Sequence, residues 1–103
     1  MTGQHISINT ADGAFSAYRA VPASGKGAGV LVLQEVFGVN QGMRQICDGL
    51  AEAGFVALCP DLFWRAEPGL ELDDHVDADL KRAFQLYGEF DLDTGMCDVA
   101  ALA

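Results

Sequence analysis

Basic residues are scarce in this chain, and so are long apolar runs. Six lysines and arginines face 15 acidic residues among 103, which gives a formal net charge of −9 at pH 7. Nucleic-acid binding needs a basic surface for phosphate contacts, so this partner class is disfavoured. Apolar runs such as 30–33 and 55–59 are far shorter than the roughly 20 residues that span a bilayer. The first nine residues have neither the basic nor the apolar region of a secretion signal. We therefore expect a cytoplasmic protein with no membrane partner.

The cysteines and glycines form no pattern for metal or nucleotide binding. The chain has three cysteines, Cys47, Cys59 and Cys97, which lie far apart in sequence. Zinc sites and disulfide frameworks need paired cysteines, and an odd number leaves one unpaired. The glycines at 25, 27 and 29 precede a strand pattern instead of a helix, so they do not indicate a phosphate-binding loop. We predict buried structural thiols for Cys59 and Cys97, no bound metal and no cofactor.

Half of the residues are apolar, which is enough for a single domain spanning residues 1–103. Ile6 and Ile8 alternate with polar neighbours, as is typical of a half-buried strand. Asp12-Gly13 then predicts a tight turn into a returning strand. The chain is therefore expected to begin with a β-hairpin.

A β-α-β unit is predicted after the hairpin. The apolar runs 29–33 and 55–59 are typical of strands covered on both faces. Between them, Asn40 is suited to cap a helix and Gly54 to end it. The apolar face of this helix recurs at helical spacing and consists of Met43, Ile46, Cys47, Leu50 and Ala51. A strand, a helix and a strand within 31 residues predict that the two strands are parallel.

Two further helical patterns occupy the rest of the chain. The first has an apolar stripe at Val76, Leu80, Ala83, Phe84 and Tyr87. The second begins at Asp91, a good capping residue, and its apolar positions are Leu92, Met96, Val99, Ala100 and Ala103. We expect both apolar stripes to face the core.

The predicted sheet leaves at least one apolar strand at an edge. The run 29–33 is too apolar for an exposed edge, because an unpaired edge strand pairs with other chains. The last helical pattern also reaches the final residue without a stop signal. We therefore expect an incomplete fold, in which either a homo-oligomer or a complementing C-terminal half covers this strand.

The candidate active-site residues follow the first apolar run. Glu35 stands at its carboxyl end, just before a helix, where open α/β sheets bind ligands. The backbone N–H of Val36 would face the same crevice and is placed to donate to an oxyanion. A solvated glutamate in an ordinary strand–helix loop has the same pattern, so a structural role also stays open.

Three aromatic residues, Phe37, Phe63 and Trp64, are also expected near the strand ends. Either they line an apolar pocket or they cover the core. No nucleophile accompanies them, because the sequence contains no G-x-S-x-G or G-x-C-x-G elbow. His5 and His75 likewise have no serine or cysteine partner at a recognisable spacing.

These motifs resemble the dienelactone hydrolase family. The resemblance rests on Gln34-Glu35-Val36-Phe37-Gly38-Val39-Asn40, the following Met43-Arg44, the Gly54-Phe55 break and Cys59-Pro60-Asp61-Leu62. It extends from the first strand to the last helix. It implies a partial α/β-hydrolase fold, made of an N-terminal hairpin, a β-α-β unit and C-terminal helices. The family cleaves cyclic enol-lactones with a Cys-His-Asp triad in chains more than twice this length, so the resemblance implies an N-terminal half without the triad.

The resemblance also implies roles for single residues. Glu35 would contact the nucleophilic cysteine and help to activate it, and the Val36 N–H would support the oxyanion. Four residues are expected to contact the substrate: Phe37, Phe84, and Lys81 and Arg82, which stand beside the position of a family arginine for the substrate carboxylate.

Two functions from different classes remain. In the first, the chain is half of a hydrolase, inactive alone, which acts on a small-molecule ester or lactone once the other half is supplied. In the second, it is a non-catalytic stand-alone or oligomerising module that retains the fold. A complementing polypeptide with a G-x-C-x-G elbow would favour the first, and a stable homodimer that covers the run 29–33 would favour the second.

Overall fold

The computed structural model describes residues 3–34, 37–73 and 75–102. Within those residues, the elements follow in the order β1 (Gln4–Thr10), β2 (Gly13–Ala20), β3 (Gly29–Leu31), α1 (Gln41–Glu52), β4 (Val56–Pro60), α2 (Asp77–Glu89) and α3 (Leu92–Ala100). The strands form one mixed sheet in the order β1-β2-β4-β3. The predicted hairpin, β-α-β unit and C-terminal helices are therefore confirmed.

The hairpin brings β1 and β2 together as antiparallel strands, with Ile6 opposite Ala17. Residues 11 and 12 form its turn, one position earlier than predicted from Asp12-Gly13. Gly13 instead opens β2 with a φ of +136°, a conformation that side-chain-bearing residues rarely adopt. The Thr10 hydroxyl donates to the Gly13 carbonyl at 2.8 Å and closes the turn.

Strands β3 and β4 are parallel, as predicted, with Val30 opposite Ala57. On its other side β4 pairs antiparallel with β2, so β3 is an edge strand. Its pairing ends at Leu31, and the side chains of Leu31 and Leu33 are 45% and 52% exposed. The expected edge position of this apolar strand is confirmed, but the expectation that it is covered on both faces is wrong within the described residues, because the Leu31 and Leu33 side chains are largely exposed.

Helix α1 packs on one face of the sheet and forms the main core with it. The Asn40 side chain accepts a hydrogen bond from the Met43 N–H at 3.1 Å and caps the helix, and Gly54 follows its end with a φ of +100°. The buried core residues are Tyr18, Ala20, Val39, Met43, Cys47, Ala51, Ala57 and Cys59. Ile46 was expected in this core but is 52% exposed, so the buried stripe is narrower than predicted.

Helices α2 and α3 form where predicted, except that α3 ends at Ala100 instead of reaching the final residue, and only part of each predicted stripe faces the core. Ala83 and Leu86 of α2 pack with Phe63, Leu70 and Leu72 in a second apolar cluster. Ala83 was expected inside and is buried, whereas six other residues of the two predicted stripes are exposed: Val76, Phe84, Tyr87, Leu92, Met96 and Ala100. Ala103, the last residue of the second stripe, lies outside the described residues. The described residues contain three helices, and none of them is long and apolar enough to cross a membrane.

Candidate functional site

The carboxyl ends of β3 and β4 lie side by side, because the two strands are parallel and adjacent. The side-chain Oε1 of Gln34 accepts a hydrogen bond from the Leu62 N–H at 2.7 Å and joins the segments that leave them. Ligands bind at this edge in open α/β sheets. The candidates Glu35 and Val36 follow Gln34 directly, but they lie outside the described residues.

A second set of contacts holds the segment that follows Glu35 and Val36. The Phe37 carbonyl accepts a hydrogen bond from the Leu72 N–H at 2.8 Å. Gly38 bridges to Glu71 with a φ of +81°, and a Cβ at this position would stand 2.1 Å from the Leu70 carbonyl oxygen. Only glycine fits both the conformation and this close approach. The strand-end segments are therefore fixed to each other on both sides of Glu35 and Val36.

Arg44 strengthens the same contact from α1. Its Nη1 donates to the Val39 carbonyl at 2.9 Å and to Glu71 Oε1 at 2.6 Å. The two side chains remain partly exposed, so this ion pair contributes modestly to stability. Its structural effect is to connect α1 to the segment at 70–72.

Phe37 packs against the second apolar cluster, where it is partly buried beside residues such as Phe63 and Leu72. Trp64 stacks on Phe15 with 5.4 Å between the ring centroids. Phe37 and Trp64 thus cover the core, whereas Phe63 both packs in the second apolar cluster and lines a cavity. A contact between Phe37 and substrate stays a prediction.

Asp61 is a buried acid directly after β4 that belongs to a motif of the resemblance but was assigned no role from the sequence. The residue is 2% exposed, and its Oδ2 accepts a hydrogen bond from the Gly69 N–H at 2.8 Å. Its Oδ1 is buried and makes no hydrogen bond with any described residue. Burial raises the pKa of this carboxyl group above its usual range. The available signal was its position directly after β4.

A cavity of about 300 Å³ lies between the segment after β4 and the facing ends of α2 and α3. Its apolar wall includes Leu62, Phe63, Leu86 and Phe90. This volume is at the lower end for small-molecule sites. Gly95 lets α3 approach the Phe90 ring closely, because a Cβ at this position would stand 2.2 Å from that ring.

The polar wall of this cavity is built on Asp98, which sequence reasoning placed on a helix but did not assign a role. Asp98 Oδ2 accepts from Trp64 Nε1 at 3.0 Å and from Arg65 Nε at 3.1 Å, and Oδ1 accepts from Arg65 Nη2 at 2.9 Å. Arg65 Nη2 also lies 3.0 Å from Asp12 Oδ2 in the hairpin turn. Burial disfavours the charge on Asp98, but the hydrogen bonds from Arg65 and Trp64 outweigh it and lower its pKa.

The predicted substrate contacts on α2 lie on its outer surface. Arg82 Nη2 pairs with Glu67 Oε1 at 3.2 Å, and Arg82 Nη1 donates to Gln85 Oε1 at 3.0 Å. Lys81 is exposed, and Phe84 is 62% exposed. The described contacts do not connect these three residues to Gln34 or Phe37, and their role in substrate binding stays a prediction.

The cysteines are free, and two of them are structural. Cys47 and Cys59 are fully buried in the main core, and burial raises the pKa of the Cys59 thiol to about 12. A thiol with so high a pKa is a poor nucleophile. Cys97 was expected to be buried but is exposed on α3. Within the described part of the chain, no three His, Cys, Asp or Glu side chains are grouped to hold a metal ion.

This mixed sheet, with its parallel β3–β4 pair and a helix between them, is a partial α/β-hydrolase fold. The model of the dienelactone hydrolase family matches residues 15–100. The chain belongs to the dienelactone hydrolase family.

Individual relatives support the same family assignment. A protein from Azospirillum brasilense named "Putative carboxymethylenebutenolidase" is 53% identical over 83 residues, which cover 80% of this chain and 36% of the relative. A carboxymethylenebutenolidase from Pseudomonas sp. (strain P51) is 40% identical over 102 residues, which cover 98% of this chain and 43% of the relative. The crystal structure of a "Putative Dienelactone Hydrolase" from Klebsiella pneumoniae superposes with a TM-score of 0.79 and 27% identity over 97% of this chain and 41% of its own. The chain thus spans less than half the length of these relatives.

Proposed function

We propose that this chain is the N-terminal part of a dienelactone hydrolase-like enzyme for small esters or lactones, and that it is inactive alone. The observation that carries the proposal is the Gln34–Leu62 hydrogen bond, which ties the ends of two parallel strands together directly before Glu35. The family places its catalytic glutamate after the same Gln residue. The sequence has no nucleophile elbow, so the nucleophile comes from polypeptide outside this chain.

Glu35 and Val36 would supply two parts of the chemistry. The Glu35 carboxylate would accept the proton of the incoming cysteine thiol, and the sulfur then adds to the carbonyl carbon of the ester or lactone while the C=O π electrons move to the carbonyl oxygen. That oxygen, on which the negative charge develops, accepts a hydrogen bond from the Val36 N–H. Contacts at Phe37, Gly38 and Gln34 support this arrangement, because they restrain the backbone on either side of the two residues.

A chimera tests the proposal. This chain replaces the 102-residue stretch that it matches in the Pseudomonas carboxymethylenebutenolidase, so that the rest of the relative completes the fold. The readouts are hydrolysis of p-nitrophenyl acetate and of a cyclic enol-lactone. We expect turnover by the chimera and only background hydrolysis by the isolated chain. Turnover by the isolated chain that survives Cys59→Ala and Cys97→Ala would contradict the proposal.

Glu35→Gln in the chimera tests the assigned residue. General acid–base assistance contributes about 10²–10⁴-fold, so we expect kcat/KM to fall at least ~100-fold while the urea midpoint stays close to wild type. Glu52→Gln, an exposed glutamate at the end of α1, is the matched control and should retain full turnover. Equal activity of both variants would assign Glu35 a structural role.

A non-catalytic oligomerising module is the second candidate function. The observation in its favour is the apolar, unpaired edge of β3. It predicts a stable homodimer of the isolated chain and a chimera without turnover.

A further inference from the structure

A very short backbone pairing holds the segment that begins at Phe37. The Leu72 N–H donates to the Phe37 carbonyl at 2.8 Å, and Gly38 forms a single bridge with Glu71 outside the four strands of the sheet. Two-stranded pairings are marginally stable on their own, even when they are longer than this one. The position of this backbone therefore depends on the side chains around it.

The pairing connects the two apolar clusters of the chain. Val39 follows Gly38 and is buried in the main core with α1. Leu70 and Leu72 lie on either side of Glu71 and are buried in the second cluster with α2. A contact that fixes this pairing therefore also fixes one cluster relative to the other at the strand ends.

One nitrogen of Arg44 binds both sides of the pairing. Its Nη1 donates to the Val39 carbonyl at 2.9 Å and to Glu71 Oε1 at 2.6 Å. Arg44 is itself held in the first turn of α1, where its N–H donates to the carbonyl of the capping Asn40 at 3.0 Å. The guanidinium group thus ties both segments of the pairing to a regular helix.

Arg44 also balances a group of acids at this place. A polar cleft beside the start of α1 is lined by Glu71, Asp73 and Asp79, and no base is among the described residues that line it. Without Arg44, the Glu71 carboxylate would face like charges, which repel one another. Loss of the guanidinium group would therefore displace the 70–72 segment and the segment that is paired with it.

We infer that Arg44 and Glu71 are positioning residues of the proposed active site, and that together they set the backbone from which the Val36 N–H reaches the oxyanion. They act through the backbone and not by contact with the substrate. The inference rests on the proposed function, in which the oxyanion donor Val36 directly precedes the restrained Phe37. An oxyanion donor contributes about 10²–10³-fold to kcat, and a displacement on the order of 1 Å can cost about 100-fold. A displaced donor slows the chemical step and leaves ground-state binding of the substrate nearly unchanged.

Kinetics of the Pseudomonas chimera test this role. Arg44→Met retains most of the side-chain stem and removes both hydrogen bonds. We expect kcat for p-nitrophenyl acetate to fall on the order of 10–100-fold, while KM changes by less than about 3-fold. Arg44→Lys should recover most of this loss, because a single nitrogen makes both bonds.

Glu71→Gln tests the other partner. It retains an acceptor oxygen but removes the charge, so we expect a smaller fall in kcat, on the order of 3–10-fold. Asp12→Asn is the matched control, because Asp12 Oδ2 also forms a partly exposed ion pair, with Arg65 Nη2 at 3.0 Å, but lies in the hairpin turn. This control should retain full turnover.

Hydrogen exchange in the isolated chain gives a readout that does not depend on turnover. The Leu72 amide donates across the pairing, so we expect it to exchange on the order of 10-fold faster in Arg44→Met than in wild type. The Val56 amide, which donates to the Ala28 carbonyl between β3 and β4, should exchange at the same rate in both.

A wild-type kcat for the Arg44→Met chimera would overturn the inference and leave the proposed function standing. A change confined to KM would overturn it too, because Arg44 would then act in substrate binding. An unchanged exchange rate at Leu72 would show that Arg44 does not hold the pairing, and it would also overturn the inference. Faster exchange at Leu72 together with a chimera that has no turnover would reject the proposed function and reduce Arg44 to a structural residue.

Discussion

The side-chain Oε1 of Gln34 accepts a hydrogen bond from the Leu62 N–H at 2.7 Å, across 28 residues of sequence. This bond connects the segments that leave β3 and β4, and it does so one residue before the candidate catalytic Glu35. The side chain of the residue before the candidate therefore joins the two segments that leave the parallel strands.

Gln34→Ala should lower the free energy of unfolding. It removes the acceptor of a partly buried N–H, which costs about 1–2 kcal/mol in similar cases. Urea unfolding measures the change. Gln34→Glu retains an acceptor oxygen and should recover most of the loss, and Gln45→Ala on the exposed side of α1 should change stability by less than about 0.5 kcal/mol. If Gln34→Ala matches Gln45→Ala, the bond does not hold the strand ends.

Gly38→Ala should be strongly destabilising, because the residue has a φ of +81° and its new Cβ would stand 2.1 Å from the Leu70 carbonyl oxygen. We expect a loss of about 2–4 kcal/mol from backbone strain and displacement of the 70–72 segment. Gly49→Ala is the control, since it lies in α1 with open space around it, and it should stabilise the chain by about 0.5–1 kcal/mol. Thermal unfolding of both variants checks the opposite signs.

Features set by neighbouring residues were predictable from the sequence. The Asn40 cap, the glycine after α1 and the parallel β3–β4 pair depend on local chemistry and on the length of the connection, and all three are confirmed. The candidate pair Glu35 and Val36 was predicted from the same local signal and remains a prediction.

Features set by distant partners were not predictable in the same way. The apolar stripe with Leu92 and Met96 was predicted to be the core side of α3, but both side chains are exposed. The buried side carries Asp98 instead, because Trp64 and Arg65, more than thirty residues earlier, supply donors that satisfy a charge inside the protein. Helical periodicity shows only where apolar residues recur along the sequence, and it gives no information on a distant hydrogen-bond donor to a buried acid.

Asp98→Asn should lower stability most strongly at neutral pH. Folding lowers the pKa of Asp98 below the usual value of about 3.9, so its contribution is present above that pH and is lost as the pH falls through the folded-state pKa. Hydrogen bonds to a buried charged group contribute about 1.5–3 kcal/mol. Urea midpoints from pH 2 to 7 should therefore differ most above pH 4 and converge in acid. Asp93→Asn, exposed on the same helix, should give a change within about 0.5 kcal/mol. A constant difference at every pH would show that the charge of Asp98 is not what stabilises α3.

Asp61→Asn should have the opposite pH dependence, because folding raises the pKa of Asp61. Burial is the largest cause, and the Gly69 and Phe63 amides and His5 offset it only in part. An acid whose pKa is raised by folding contributes fully below its unfolded pKa, and the contribution is lost as the pH rises through the folded-state pKa. At neutral pH the buried charge of Asp61 therefore lowers the free energy of unfolding of the wild-type chain, and an uncharged side chain at this position would not.

The asparagine amide oxygen can still accept the hydrogen bond from the Gly69 N–H, so the loop from 61 to 69 stays closed. We expect Asp61→Asn to have a higher urea midpoint than wild type at pH 7 and the same midpoint at pH 3. Asp61→Ala loses the acceptor and should be destabilised at both pH values by about 1–3 kcal/mol. A lower midpoint for Asp61→Asn at pH 7 would mean that a donor already satisfies Oδ1 in the isolated chain. If that lower midpoint occurs only in the completed chimera, the remainder of the fold supplies a hydrogen-bond donor to Asp61 Oδ1.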